Sequence, residues 1–371
     1  MKKERIPAIE YIRGISMLGV IGIHTGSQYL SNPANNIHLI AGFEIFTRFS
    51  VPIFFFISAF GLFYNLDLSQ PFRYKDFLRR RFQTVLAPYL VWSFFYIFHY
   101  TFLYHDPSLL SIPTILKYLF FGFASYQLYF LVIMLWFYLL MPVWIAITKK
   151  MTVPRLGILL LLQIAFDYYS SFIMNPYVLP DSMIKALLMY RLNYWVLHYV
   201  FIFILGGYCA IHYEKFQVFM KTKKTSIYTF FVFTLGGMFL YYYSLLFKKG
   251  YTTEEAINTA HQLSPIGVLY TLAASIFFFT IFTQYKIPEK LHTLLACLGR
   301  HSYFAYLFHP VIITYLSLYL TSHGRIMTSG IAIIFYCLVT SLSITAAALF
   351  RKLGLSFPLL NQLTIGTTPK K

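Results

Sequence analysis

Residues 6–30 read IPAIEYIRGISMLGVIGIHTGSQYL. From Pro7 onward this run is long enough, at 1.5 Å per residue, to cross a hydrocarbon core about 30 Å thick. It nevertheless carries Arg13 and His24. No small-residue cleavage site follows it, and the chain continues into more segments of the same kind. It therefore reads as a first transmembrane helix and not as a cleaved leader.

Further apolar stretches follow at approximately 38–64, 83–104, 127–147, 156–174, 193–213, 226–247, 265–284, 299–320 and 327–350. The expected fold is an all-α polytopic membrane protein of about ten transmembrane helices. The segment 113–126 is also apolar and suits a short re-entrant or interfacial helix. No long linker or internal repeat divides the 371 residues, so a single integral membrane domain over 1–371 with no fused soluble domain is expected.

Composition agrees with this reading. Hydrophobic residues make up 58% of the chain and charged residues only 11%, whereas a soluble domain has about 25% charged residues. The formal charge of +18 could suggest nucleic acid, but nucleic-acid binders gather basic residues on a polar face, and such faces are scarce here.

Topology accounts for the charge, because Lys and Arg accumulate in cytoplasmic loops. With the amino terminus inside, the cytoplasmic segments hold Lys2, Lys3 and Arg5; Arg73, Lys75, Arg79, Arg80 and Arg81; Lys149, Lys150 and Arg155; Lys215, Lys221, Lys223 and Lys224; Lys286 and Lys290; and Arg351, Lys352, Lys370 and Lys371. Only Lys117, Lys185, Arg191, Lys248, Lys249 and Arg325 fall outside. Both termini are thus expected in the cytoplasm. Arg13, Arg48 and Arg300 lie in or at the edge of spans and are not required by this rule.

Cys209, Cys297 and Cys337 lie in or beside apolar segments without a C-x-x-C pair, so neither a disulfide framework nor a metal site is expected. There is no zincin, nucleophile-elbow, P-loop or dinucleotide-binding motif.

Ionisable groups inside a bilayer are costly and usually face a bundle interior or a wet cavity, so those within spans are the functional candidates. At about 100° per residue, the eleven steps from Arg13 to His24 bring both side chains to one helical face, roughly 16 Å apart along the axis. A neutral histidine can accept a hydroxyl proton, and the guanidinium fork can hold phosphate or carboxylate. The same pair also suits a histidine satisfied by a neighbouring helix and an arginine reaching back to the interface.

Glu44 and Arg48 are spaced to pair at i, i+4, and Pro52 should kink the helix and free backbone carbonyls near Arg48. They equally suit a buried pair that fixes packing. Arg79, Arg80 and Arg81 form a basic cluster that suits either headgroups or a donor's phosphates. Gly299 and Ser302 suit a helix start. Arg300 and His309 are nine residues apart and so fall on opposite faces, which favours His309 packing or hydrogen-bonding across helices. Asp167 stands near a span end and reads as interfacial. Most of the 32 Tyr and 40 Phe read as lipid-facing or belt residues.

Together these residues resemble acyltransferase family 3, the multi-spanning enzymes that modify cell-surface carbohydrates. The resemblance covers nearly the whole chain. It rests on Glu10-Tyr11-Ile12-Arg13-Gly14 with His24 in the family's R-x10-H spacing, and on Arg48 followed by Val51-Pro52-Ile53-Phe54-Phe55-Phe56-Ile57-Ser58. It continues through the Arg79 to Arg81 cluster leading to Pro88-Tyr89, and Leu128-Tyr129-Phe130-Leu131 ahead of Tyr138-Leu139-Leu140-Met141-Pro142. Last comes Gly299-Arg300-His301-Ser302-Tyr303 leading to Tyr306-Leu307-Phe308-His309-Pro310. The layout is similar to stand-alone exopolysaccharide O-succinyl- and O-acetyltransferases. Two positions depart from the pattern: Gln127 stands where members often have His, and Ala59 where Gly is common.

The resemblance implies transfer of a short acyl group, acetyl or succinyl, from acyl-CoA to a hydroxyl of a cell-surface glycan. Acyl-CoA is then a donor substrate and no bound cofactor is expected. His24 would be the general base and Arg13 would hold the donor or orient the site. Arg48, with Arg79 and Arg81, would meet the donor's phosphates or thioester carbonyl, and Glu44 would orient Arg48. Arg300 and His309 join the expected substrate-binding set. Ser58 is the nearest nucleophile candidate, but it has no adjacent base in sequence and suits a small polar residue at a helix crossing. Expected partners are the lipid bilayer, the glycan acceptor and polysaccharide synthase or export proteins, in the cell membrane. A proton-coupled transporter or flippase for a polysaccharide precursor, and a structural subunit of a synthase, are the rival readings.

Overall fold

The computed structural model describes residues 4–30 and 37–367; Lys2, Lys3, Lys370 and Lys371 lie outside the described residues. Among these the chain is helical and has no strand. In order the helices are α1 (Pro7–Leu30), α2 (Ile37–Thr47), α3 (Ser50–Tyr64), α4 (Tyr74–Arg81), α5 (Ala87–Tyr104), α6 (Ile112–Phe121), α7 (Tyr129–Leu139), α8 (Met141–Lys149), α9 (Val153–Tyr168) and α10 (Met183–Met189). There follow α11 (Arg191–Tyr194), α12 (Val200–Ile211), α13 (Tyr213–Thr222), α14 (Lys224–Lys249), α15 (Thr253–Thr259), α16 (Pro265–Gln284), α17 (Glu289–Ser322), α18 (Ser329–Ser356) and α19 (Pro358–Ile365).

Among the described residues, seven helical segments are individually long and apolar enough to cross a membrane, or nine if two bent pairs each count as one span. The expected 127–147 span is bent by 67° between α7 and α8, and the 193–213 span meets α13 at 98°. The first bend falls at Met141-Pro142, where proline cannot donate to the preceding turn. The helix α1 has the length, but Glu10, Arg13 and His24 dilute its apolar character, and it is not one of the seven. The ten residues of α6 are too few to span.

Pro52 has the anticipated effect. Its missing N–H leaves the Arg48 carbonyl without an i+4 donor, and α2 and α3 are separated by a turn at Arg48 and Phe49.

The chain divides into two compact units. The first comprises Met1–Leu66, Met151–Ile173 and Tyr199–Ile344. Within it α1 and α17 run parallel. Tyr11 meets His292, Gly14 meets Gly299, His24 meets His309 and Gln28 meets Ser317, in the same order along both helices. In lipid there is no hydrophobic drive between helices, so close approach depends on small residues and polar contacts. A Cβ on Gly14 would lie 2.9 Å from Leu298 Cβ, and one on Gly299 would collide with the Glu10 carbonyl. These glycines let the two backbones touch. Gly299 is thus interior to α17, which begins at Glu289, and not a helix start; Ser302 Oγ donates to the Gly299 carbonyl at 2.8 Å inside the helix.

Elsewhere in this unit α3 packs on α12, with Phe55 stacked on Tyr199 at 4.4 Å. Phe231 of α14 stacks on Phe277 of α16 at 3.9 Å.

The second unit comprises Asp67–Lys150, Met174–His198 and Thr345–Lys371. Its α5 is tied to α19 by Trp92 Nε1 donating to the Thr364 carbonyl at 3.1 Å, and to α6 by the Tyr89 hydroxyl donating to Leu119 at 2.6 Å. Arg191 donates to the carbonyls of Leu188 and Met174 at 2.8 and 3.3 Å.

Candidate active site

The parallel packing of α1 on α17 places His24 and His309 together. The rings of His24 and His309 stack at 5.4 Å between centroids and 22° between planes. His309 is fully buried and His24 half-buried. His309 Nδ1 lies 3.2 Å from the Ala305 carbonyl. A carbonyl only accepts, so Nδ1 carries the proton and the lone pair of the neutral ring sits on Nε2. Pro310 contributes to this, because without an N–H it cannot occupy the Tyr306 carbonyl one turn back, which also faces the His309 ring.

The second part of the site lies where α2 ends. Arg48 donates from Nη2 to Glu44 Oε1 at 3.0 Å and to the Ile257 carbonyl at 2.9 Å. Glu44 is 3% exposed and Arg48 9%, so this is a desolvated ion pair. Arg48 Nε and Glu44 Oε2 have no hydrogen-bond partner among the described residues. The pair adjoins α1, since a Cβ on Gly26 would stand 3.0 Å from Glu44 Oε2. His24 lies within electrostatic reach of both His309 and Arg48. Two imidazoles from α1 and α17, a carboxylate from α2 and a guanidinium from the turn after it thus converge, with the backbone of α15 bonded to the guanidinium.

The short helix α15 is built to hold that position. Gly250, at φ 67°, ends α14 in the left-handed region that disfavours side chains. Thr252 then caps α15 by accepting from the Glu255 N–H at 3.2 Å, and Glu255 Oε2 accepts from the Thr252 N–H at 2.8 Å. The Thr252 N–H and hydroxyl, both donating to Glu255 Oε2, hold the Glu255 carboxyl below its usual range. Reading the sequence alone missed α15, whose contribution is a main-chain carbonyl; the Thr252-x-x-Glu255 capping box was its visible signal.

The remaining candidates are placed as follows. Arg13 and Arg300 are exposed and flank the Gly14–Gly299 contact, so the face of α1 that carries His24 presents Arg13 outside the packed core. Ser58 is half-buried in α3, ten residues beyond Arg48. Arg79 and Arg81 belong to the second unit. Arg79 is exposed, and the Arg81 guanidinium lies over the rings of Phe77 and Tyr138 at 5.2 and 5.3 Å. Asp167 is fully buried, accepts from Gln163 Nε2 at 3.0 Å, and Gln163 Oε1 accepts from the Phe201 N–H at 3.0 Å. Gln163 thus gives one oxygen of the buried carboxyl a donor inside the unit. Among the described residues no group of His, Cys, Asp and Glu is arranged to hold a metal ion.

A bundle of apolar helices that holds a stacked histidine pair and a buried ion pair has the makings of a multi-pass membrane enzyme. The model of the acyltransferase domain of acyltransferase family 3 matches residues 6–352, and the chain belongs to that family. Comparison with curated proteins and with solved structures returned no match.

Proposed function

We propose that this membrane acyltransferase moves a short acyl group, acetyl or succinyl, from acyl-CoA to a hydroxyl of a cell-surface polysaccharide or glycan in the plasma membrane. The observation that carries the reading is the convergence of His24, His309 and the Glu44–Arg48 pair within one unit of an acyltransferase-family chain.

In this reading His24 accepts the acceptor hydroxyl proton as the oxygen attacks the thioester carbonyl. A new C–O bond forms, the C–S bond breaks, and the proton passes to the departing CoA thiolate. Positioned general bases of this type typically contribute about 10²–10⁴-fold. Arg48 stabilises the negative charge that develops on the carbonyl oxygen, with Glu44 and the Ile257 carbonyl fixing its orientation. His309, held by its bond to Ala305, is the wall against which the His24 ring is oriented. Arg13, exposed on the same face of α1, takes an anionic group of the donor. Ser58 needs no covalent role.

The test is purified full-length protein with acetyl-CoA or succinyl-CoA and an oligosaccharide acceptor. Acceptor-dependent release of free thiol, with the mass increment of the acyl group on the glycan, is expected. Thiol release that is independent of glycan, or its absence with both donors, overturns the reading. A precursor that fails to cross the membrane in cells lacking the protein, with glycan acylation unchanged, would make it a transporter.

A further inference from the structure

The outer flank of the first unit carries a feature that acyl transfer does not use. A groove of about 700 Å³ runs between the carboxyl-terminal half of α14 and the start of α16, with Tyr168 of α9 at its side. Its floor and walls are apolar, including Leu240, Phe247 and Ile266, and Leu240 and Phe247 are 73% and 78% exposed. Both α14 and α16 are long and apolar enough to cross a membrane, and this exposed apolar surface suits contact with acyl chains. Polarity is confined to the hydroxyls of tyrosines and Ser244 and to Lys248, which lines the groove and is followed by Lys249. The volume is that of a small-molecule site, roughly 300–1,000 Å³.

The lysines fit topology poorly. With the amino terminus inside, α14 leaves the cytoplasm at Lys224, and Lys248 and Lys249 become the one adjacent basic pair on the outer side, where the positive-inside bias does not account for them. Lysine stems lie along apolar surface while the ammonium reaches the headgroup level.

We infer that this groove binds one anionic phospholipid of the outer leaflet, its acyl chain lying along Leu240 and Ile266 and its phosphate meeting Lys248 and Lys249. Cations also suit the carboxyl end of a helix, but that role by itself would leave lipid preference unaltered.

The full-length protein in phosphatidylcholine vesicles, probed with spin-labelled phosphatidylglycerol and separately with spin-labelled phosphatidylcholine, tests this. The expected result is a saturable, motionally restricted phosphatidylglycerol component that exceeds the phosphatidylcholine one. Lys248→Gln with Lys249→Gln, both exposed, should weaken that preference roughly 30-fold, and Ser244→Trp, which fills the groove, should remove the excess while the double variant keeps the ordinary boundary lipid. Equal restriction of the two probes by the wild type, or an unaltered preference in the double lysine variant, overturns the inference.

Discussion

The imidazoles of His24 and His309 stack 5.4 Å apart although they come from opposite ends of the chain. The stack exists because Gly14 and Gly299 let α1 and α17 touch further down the same seam. A proton-accepting ring is thereby held against a second ring whose own tautomer is set by Ala305.

His24→Ala should lower kcat about 10²–10⁴-fold with the protein still inserted and folded. His309→Phe, which keeps a flat ring but removes both nitrogens, should cost less than His24→Phe. Steady-state acyl transfer by the purified variants measures both. Equal losses would make His309 a proton-handling group and not a wall.

The Glu44–Arg48 pair should reveal itself by asymmetry. Removing one partner of a buried pair typically costs about 3–5 kcal/mol, whereas replacing both by apolar residues is often neutral. Glu44→Ala and Arg48→Ala should each lower the thermal midpoint in detergent, and Glu44→Leu with Arg48→Met should recover most of the loss without restoring activity.

Gly299→Leu should separate α1 from α17, because even a Cβ there meets the Glu10 carbonyl. Loss of folded protein, or of activity in whatever remains folded, is expected. Gly61→Ala, in α3 with nothing within 4 Å of its Cβ position, is the matched control and should behave as wild type in size-exclusion profile and turnover.

The Thr252–Glu255 capping box predicts a pH dependence for α15. The Thr252 N–H and hydroxyl hold the Glu255 carboxyl below its usual range. A depressed folded value stabilises the folded state above the unfolded value of about 4.3, and the contribution is lost as pH falls through the folded value. Hydrogen exchange of α15 amides, compared at equal intrinsic rate, should show protection falling on acidification in the wild type and little change in Glu255→Gln.

Much of this was legible in one dimension. Long apolar runs separated by basic loops have few physical solutions besides a helical membrane protein, since every backbone polar group must be satisfied within its own segment. The i, i+4 spacing of Glu44 and Arg48 likewise foretold a pair, because both residues ride one helix. Pro52 foretold the break after Arg48 for the same local reason.

What local periodicity could not supply is which helices meet. Gly299 read as a helix start because glycine serves both ends and crossings, and only the approach of α1 shows that it is a crossing. The burial of Asp167 was hidden because it depends on α12, whose Phe201 N–H engages Gln163. The bends after α7 and α12 were equally hidden in their hydropathy, which is blind to direction.

The sequence by itself determined the all-α membrane class, the family and the candidate ionisable groups, because cost of burial and helical period are properties of neighbours along the chain. The tertiary structure alone decided that His24 faces His309, that the Ile257 carbonyl is hydrogen-bonded to Arg48, and that Arg13 stays outside the packed core. Those relationships depend on contacts between segments far apart in sequence, and a small residue at a crossing sets them as firmly as any charged one.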